Sequence, residues 1–314
     1  MGQFSSYDLR RQLAGRFMTE AARVYDDLRD SDRCGAGLKE EAITSNFLIG
    51  LSRHATPALS FRAYSHTEEK LTGADWEWWF GDGPGTPYVG VRVQAKRWRT
   101  TVAGGYDFRY PNDSSRPRQV DTLISAARAS TPPRAALYCL YSGPRTKSLH
   151  SHCCQPVPPP EPALGISVIP ALAARAIADR RSGVSADAND YAVPLHCLVL
   201  CEPSWVGSMH SAPGAATEPV PDDVPLSWWV NSALTGLQNL IIQDAHVAAA
   251  DETSVVMNWQ QVPDGVQRLV RFEQDEVRAE PDDQLKTYLD DQRLQGLITF
   301  SLRASPAPEE PRQG

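Results

Sequence analysis

The sequence has no run of about 18 apolar residues, the length that a membrane-spanning helix requires. Its first residues also lack the apolar segment of a secretory signal, so we expect a cytoplasmic protein. The six cysteines are unevenly spaced and form no Cys-x-x-Cys pair, which argues for reduced thiols and against a disulfide framework or structural zinc. The chain contains neither a phosphate-binding loop ending in Gly-Lys-Ser/Thr nor a Gly-x-Ser-x-Gly motif, so neither of those hydrolase classes has support.

Positive charge is scarce as well, because 31 lysines and arginines face 38 acidic residues and the net charge is −7. A protein that binds nucleic acid over its whole surface needs the opposite sign, so any such surface must be local. Basic residues do concentrate in one stretch, where they outnumber Asp107 and Asp113: Arg92, Lys96, Arg97, Arg99, Arg109, Arg116 and Arg118. Acidic residues prevail from 218 to 293, which we interpret as a solvated surface.

The chain of 314 residues is 41% hydrophobic, which is enough for one large domain or two smaller ones with a proper core. A proline-rich stretch predicts a stiff, extended connector. We therefore expect four parts: an N-terminal helix over residues 1–37, a core over 38–150, the connector over 151–162 and a C-terminal α+β region over 163–314.

Hydrophobic periodicity predicts the elements of the core. Apolar residues at helical spacing indicate helices, and short apolar runs between turn residues indicate strands. The predicted order is helix 7–30, helix 38–53, strand 59–64, two strands within 72–96, helix 118–129 and strand 135–141. For the C-terminal region we predict strands at 166–169 and 195–201, helices at 170–181 and 229–242, and a final helix and strand within 283–302.

The two strands within 72–96 alternate polar and apolar side chains, which predicts one wet and one dry face for each. Asp75, Glu77 and Trp79 share the polar face of the first strand. A Gly/Pro-rich turn over residues 81–87 allows the strands to fold back as a hairpin. The midpoint between Asp75 and Gln94 falls inside that turn, so the two residues are predicted to lie opposite each other.

This polar face combines two carboxylates with an amide and an ammonium group, a set suited to metal-assisted hydrolysis. Asp75 and Glu77 repel each other, and a hard divalent cation is the usual means of holding such oxygens together. Gln94 and the Ala95 carbonyl can add oxygen ligands, while Lys96 can orient a water and stabilise charge on a phosphate. The alternative is a solvated ladder of cross-strand salt bridges.

A further carboxylate precedes this hairpin in the helix predicted over 38–53. Glu40 lies on the apolar stripe of that helix, whereas Glu41 lies to one side. A carboxylate on a buried face can reach a metal-bound water or Lys96. The alternative is that Glu40 occupies the first turn because the helix dipole favours acids there, and the residues alone leave both interpretations open.

These residues resemble the PD-(D/E)XK nuclease superfamily in its Gln-x-Lys variant, as in Mrr-like restriction enzymes. The matching motifs are Gly73-Ala74-Asp75 and Gln94-Ala95-Lys96, with a glutamate on a preceding helix. Residues 38–142 are also similar to a bacterial family of uncharacterised, predicted nucleases. Gln94 replaces the acid of the commoner motif, which makes Glu77 a candidate for the missing ligand charge, and no proline precedes Asp75.

The resemblance implies an α/β fold with an αβββαβ restriction-endonuclease-like core, a mixed sheet and a C-terminal α+β extension. It also implies magnesium or manganese, hydrolysis of phosphodiester bonds in DNA and a role in bacterial defence. It favours Glu40 over Glu41 for a site role. The predicted catalytic residues are Asp75, Gln94, Lys96, Glu40, Glu77 and Glu41, and the predicted metal ligands are Asp75, Gln94, Ala95 and Glu77.

Several other residues are predicted to contact nucleic acid. Arg97 and Arg99 suit the phosphate backbone, Arg92 belongs to the same basic stretch, and Trp79 lies on the site face where it can stack on bases. Gln119 begins the helix where the family places a residue near the substrate, although an ordinary exposed glutamine explains it equally well.

Two alternative functions remain from the sequence. The first is a catalytically silent nuclease-fold module that binds nucleic acid or a protein partner, and the second is an RNA or tRNA nuclease. The C-terminal region could recognise substrate, bind a partner or form a homodimer.

Overall fold

The computed structural model describes residues 6–53, 59–63, 72–81, 88–99, 105–110, 117–131, 133–146, 160–179, 188, 191–200, 224, 226–244 and 296–301. The helices are α1 (Ser6–Cys34), α2 (Glu40–Arg53), α3 (Gln119–Ala129), a 3-10 turn (Glu161–Leu164), α4 (Ala171–Asp179), α5 (Cys197–Leu200) and α6 (Leu226–Asp244). The strands are β1 (Leu59–Ala63), β2 (Trp76–Gly81), β3 (Tyr88–Arg97), β4 (Ala135–Tyr141), β5 (Ile166–Pro170), β6 (Val193–Pro194) and β7 (Gly296–Ser301).

The described strands form one seven-stranded sheet in the order β1-β7-β2-β3-β4-β5-β6. The pairs β2–β7 and β3–β4 are parallel, and the other neighbours are antiparallel. The sequence-based expectation of an α/β protein with a mixed sheet is therefore confirmed. Among the described helices, none combines the length and apolar character needed to cross a membrane.

Helices cover both faces of this sheet. On one face, Trp76, Trp78 and Phe80 of β2 pack with buried residues of α1, α2 and α6, and Phe17 of α1 stacks on Trp78 at 6.4 Å between ring centroids. On the other face, Tyr138 of β4 packs with apolar residues of α3 and α4. The result is a three-layer arrangement of helices, sheet and helices.

The predicted hairpin is confirmed by the antiparallel pairing of β2 with β3, in which Trp76 lies opposite Val93. The backbone N–H of Asp75 donates to the carbonyl of Val93 at 2.8 Å, so Asp75 lies beside Gln94 as predicted. The predicted wet face is wrong. Asp75, Glu77 and Gln94 are all buried, because α3 and α4 cover this face of the sheet.

Most predicted elements agree with the structure, and one differs. Residues 195–201 were expected to form a strand, but the chain forms the short strand β6 and then the helix α5. A short apolar run such as Cys197-Leu198-Val199-Leu200 is compatible with either state, and packing between α1 and α6 selects the helix here. The predicted helix between 283 and 295 lies outside the described residues, whereas the final strand is present as β7.

The sheet continues across the predicted connector at residues 151–162. On the far side of that stretch, β5 pairs with β4, and β7 lies between β1 and β2. Residues 151–159 themselves lie outside the described part of the chain. The four-part division of the chain stays a prediction, but its second and last parts, 38–150 and 163–314, share one sheet.

Candidate functional site

A pocket of about 660 Å³ opens where the carboxyl end of β3 meets the first turns of α2 and α3. Its wall carries acids and bases in equal number, together with two amides. These lining residues are Glu40, Glu41, Asp75 and Asp107, then Lys39, Lys96, Arg97 and Arg99, with Gln94 and Gln119. The balance of charge suits a site that binds a cation and an anion side by side.

Asp75 is fixed at this pocket by the strand next to it and by a glycine before it. Its Oδ2 accepts the backbone N–H of Ala95 at 2.6 Å and the side-chain amide of Gln94 at 2.8 Å. Gly73 has a φ of +65°, and a Cβ built there would lie 2.8 Å from the backbone oxygen of Gln119 and the backbone nitrogen of Leu123. Glycine therefore lets the chain pass directly against α3 and enter β2 with Asp75 in place.

A chain of hydrogen bonds runs from Lys96 to Asp75 through two amides. The Lys96 ammonium donates to Gln119 Oε1 at 2.7 Å, Gln119 Nε2 donates to Gln94 Oε1 at 2.9 Å, and Gln94 Nε2 donates to Asp75 Oδ2. An ammonium can only donate and a carboxylate can only accept, so both amides must point in the same sense. Gln94 consequently turns its nitrogen toward Asp75 and its oxygen toward Gln119.

Glu40 reaches the same pocket from the first turn of α2. Its Oε2 accepts the backbone N–H of Arg97 at 2.7 Å, and its Oε1 lies 3.6 Å from the Lys96 ammonium. Burial raises the pKa of the Glu40 carboxyl, and Lys96 and the Arg97 N–H offset part of that increase. Glu41 lines the pocket too, but its side chain is exposed.

Glu77 does not belong to the pocket, which corrects its prediction as a catalytic residue and metal ligand. Its carboxylate is fully buried, 2.7 Å from Arg134 Nε and 3.3 Å from Arg92 Nε. It lies two residues further along β2 than Asp75, which moves it about 7 Å along the strand and away from the pocket. Arg92 and Arg134 thus neutralise the Glu77 carboxylate, where the sequence had predicted a metal ion.

Arg92 and Trp79 are also corrected, because neither is accessible to nucleic acid. Arg92 is buried against Glu77, and Trp79 is buried with the Arg134 guanidinium 5.1 Å from its ring centroid. A Cβ at Gly90 would lie 2.9 Å from the Trp79 ring, so the glycine makes space for the indole. Arg92 and Arg134 belong to a buried charged cluster with Glu77, and Trp79 packs against it, so none of these residues forms a binding surface.

The other two arginines predicted to contact nucleic acid, Arg97 and Arg99, line the pocket. Arg97 donates to the Leu38 carbonyl, which holds α2 against β3, and Arg99 is exposed and paired with Asp107 at 3.0 Å. The Ala95 carbonyl accepts the Gln94 amide at 3.2 Å.

Sequence reasoning missed several pocket residues, namely Lys39, Thr44, Trp98, Asp107 and Tyr110. The sequence does contain a pattern that points to Tyr110. Tyr106, Phe108 and Tyr110 alternate with polar residues, the pattern of a segment with one anchored face.

Two carboxylates of this pocket, Asp75 and Glu40, are the protein groups that could hold a hard cation there. Within the described part of the chain, no three His, Cys, Asp or Glu side chains come together closely enough to hold a metal by themselves. Burial raises the pKa of the Glu40 carboxyl, and a cation bound beside it would favour the ionised form. Gln94 can join only if its amide turns over and gives up its bond to Asp75.

Comparison with known protein families gives one match. A family model described as a family of unknown function (DUF6615) matches residues 13–304, which includes every residue of the pocket. No curated protein and no solved structure matches the chain. Any function proposed for this chain therefore rests on the chemistry of the pocket.

Proposed function

The chain belongs to the family of unknown function DUF6615, and we propose that it is a metal-dependent nuclease that hydrolyses phosphodiester bonds of DNA at this pocket, with a role in bacterial defence. The order of elements supports this proposal. Helix α2, strands β1 to β3, helix α3 and strand β4 follow the αβββαβ order of a restriction-endonuclease-like core. Strands β2 and β3 lie side by side, with Asp75 immediately before β2 and Gln94 and Lys96 on β3.

The position of Lys96 is the observation that carries the proposal. Its ammonium group is almost buried, lies 3.6 Å from Glu40 and donates to Gln119. A buried lysine between a carboxylate and an amide, at the wall of an open pocket, is well placed to orient an attacking water and to stabilise negative charge on a phosphate. Arg97 and Arg99 on the same wall would contact neighbouring phosphates.

The roles of the other pocket residues follow from the polar atoms that each one presents. Asp75 and Glu40 would hold a magnesium or manganese ion, which supplies Lewis-acid polarisation of the phosphate when bound. Gln119 keeps Lys96 directed into the pocket, and Gln94 keeps the Asp75 carboxylate oriented. In the net reaction, a water oxygen bonds to phosphorus and the ester P–O bond breaks, with the leaving oxygen taking up a proton.

A catalytically silent module that binds nucleic acid is the second candidate, and the direction of the Gln94 amide favours it. In this structure Gln94 gives its nitrogen to Asp75, so the Gln-x-Lys motif offers no amide oxygen beside that carboxylate. Such a protein would hold nucleic acid through the basic residues of the pocket, Lys39, Lys96, Arg97 and Arg99, and would need no metal to bind it.

Cleavage assays with two pocket variants test the proposal. Plasmid, linear duplex, single strands and RNA are incubated with magnesium, manganese or chelator, using the parent, Asp75→Asn and Lys96→Met. We expect DNA cleavage that requires the metal and falls about 100-fold or more in each variant. Asp30→Asn is the control because it removes an exposed carboxylate of α1 that lies outside the pocket.

The outcomes separate the candidates. Equal cleavage by parent and both variants would overturn the assignment of the site, as would cleavage that persists in chelator. Binding without cleavage under every metal condition would establish the silent module. Cleavage confined to RNA would establish the RNA nuclease. Circular dichroism melts of each variant confirm that a loss of activity is not a loss of fold.

A further inference from the structure

Tyr110 is an exposed aromatic residue at the mouth of the pocket. Its side chain is 55% exposed, and its ring centroid lies 6.0 Å from the Lys96 ammonium. Most of the large apolar side chains around it are buried, so its exposure stands out on this surface. An aromatic face open to solvent beside a buried cation can receive a flat, apolar group that carries a negative charge.

The segment that bears Tyr110 is held firmly. The Tyr110 carbonyl accepts the backbone N–H of Gln119 at 2.8 Å, which ties it to the first residue of α3. Two earlier residues of the segment are buried, with Tyr106 packed on Trp98 at 5.2 Å and Phe108 packed on Tyr138 at 5.1 Å. An anchored aromatic loses little conformational freedom when a ligand stacks on it.

We propose that Tyr110 stacks on an unpaired nucleobase and thereby selects single-stranded or locally unstacked nucleic acid. The inference rests on the proposed function in that the pocket is taken to bind a phosphodiester. The Lys96 ammonium lies 6.0 Å from the centroid of the Tyr110 ring, so the pocket offers a cation for a phosphate close to the ring that would hold the base.

Duplex nucleic acid cannot use this contact, because both faces of each internal base are covered by neighbouring bases. Single strands can use it, because an unstacked base has a free face. Every one of the four bases offers such a face, so the contact does not depend on sequence. Lys39 and Arg97 line the same pocket and can follow the adjoining backbone. The pocket thus discriminates by strand pairing instead of by sequence.

Binding in the presence of chelator tests this without any turnover. The probes are fluorescently labelled 15-nucleotide single strands of mixed sequence, as DNA and as RNA, and the corresponding DNA duplex. We expect Tyr110→Leu to weaken single-strand binding by about 5- to 100-fold, the loss of one stacked base, and to leave duplex binding unchanged. Tyr110→Phe keeps the ring and should bind like the parent, as should Tyr7→Leu, which changes an exposed tyrosine outside the pocket.

A second readout reports stacking itself. A strand containing 2-aminopurine should lose fluorescence when it binds the parent or Tyr110→Phe, and lose much less with Tyr110→Leu. The proposal is overturned if Tyr110→Leu binds single strands like the parent, or if its duplex affinity falls equally. The tighter of the DNA and RNA strands identifies the natural class of strand.

These measurements are separable from the nuclease assay. If the parent never cleaves but Tyr110 controls single-strand binding, the nuclease proposal fails and the stacking proposal stands. If the parent cleaves and Tyr110→Leu binds normally, only the stacking proposal fails.

Discussion

Glu77, Arg92 and Arg134 form a charged cluster in which a single carboxylate lies between two guanidinium groups, all of them buried. Removing ions from water is costly, and the mutual attraction of the three groups offsets that cost only while the set is complete. With Glu77 absent, two positive charges would remain beneath α3 and α4. The cluster is therefore a structural support for the sheet and has no direct part in the pocket.

We expect Glu77→Gln to lower the free energy of unfolding by about 3–5 kcal/mol, because it removes the buried carboxylate that pairs with both arginines. Urea denaturation monitored by circular dichroism measures this. Asp30→Asn is a matched control, since Asp30 also lies between two arginines, Arg29 and Arg33, but at the surface. Asp30→Asn should lower the free energy of unfolding by less than about 1 kcal/mol, because the pair is exposed to water. Equal decreases for the two variants would contradict the explanation that burial makes the Glu77 cluster costly to break.

At the scale of single residues, the sequence predicted the position of some pocket groups and not of others. Asp75 and Gln94 were placed together because the strand period and the turn midpoint determine their register. Glu77 and Trp79 were misplaced because alternation identifies a face but not what covers it. The arginine that completes the cluster, Arg134, is more than 50 residues away in the sequence, so no local pattern indicates it.

The join between β2 and α3 depends on one glycine. Gly73 combines a positive φ with a close approach to the backbone of α3, and it stands two residues before Asp75. Any side chain there pushes the first turn of α3 away from the strand. Since that turn carries Gln119, the change would reach the hydrogen bonds of Lys96 and Gln94.

Two other glycines allow the effect of a positive φ to be separated from the effect of a close contact with the backbone of α3. Gly35 has a φ of +71° with open space around it, and Gly37 has open space and no positive φ. We expect Gly37→Ala to leave the melting temperature unchanged, and Gly35→Ala to cost about 1–2 kcal/mol from backbone strain alone. Gly73→Ala should cost more than Gly35→Ala and also reduce cleavage, as thermal melts and the plasmid assay will measure. Equal effects at Gly35 and Gly73 would rule out the contact with α3.

Elements with strong periodicity were predictable, and short apolar runs were not. Helices α1, α2 and α3 repeat apolar residues every three or four positions over several turns, so their existence follows from the sequence. The four residues of α5 are uniformly apolar and contain no period that separates helix from strand. Tertiary packing decided that element.

At the scale of the whole molecule, the C-terminal strand β7 completes the sheet that carries the pocket. It pairs in parallel with β2, with Ile298 opposite Trp78, and antiparallel with β1, with Ile298 opposite Phe61. Without it, β1 would lose its described partner and β2 would become an edge. The most distant part of the chain thus supports the strand that follows Asp75.

We expect a chain that stops after residue 294 to lose cooperative unfolding, because both backbone edges next to β7 would be exposed. A chain that stops after residue 303 keeps β7 and is the matched control. Thermal melts and limited proteolysis of the two truncated chains measure the difference. Parent-like melting of the shorter chain would contradict the pairing.

The order of strands could not be predicted from the sequence. Periodicity identifies β7 as a strand but carries no information about its neighbours. Pairing between residues 59–63 and 296–301 spans most of the chain, and turn residues cannot specify a contact of that separation. For the same reason, the predicted connector at 151–162 could not reveal that the sheet runs across it.

The placement of β7 also has a consequence for synthesis on the ribosome. On the order of 200 residues separate the end of β2 from the start of β7, so at about 5–20 residues per second β2 waits about 10–40 s for its parallel neighbour. During that interval the nascent chain carries Asp75, Lys96 and Glu40 but lacks the finished sheet beneath them. We therefore expect the strand that follows Asp75 to reach its final pairing late in synthesis, only after residues 296–301 have left the ribosome.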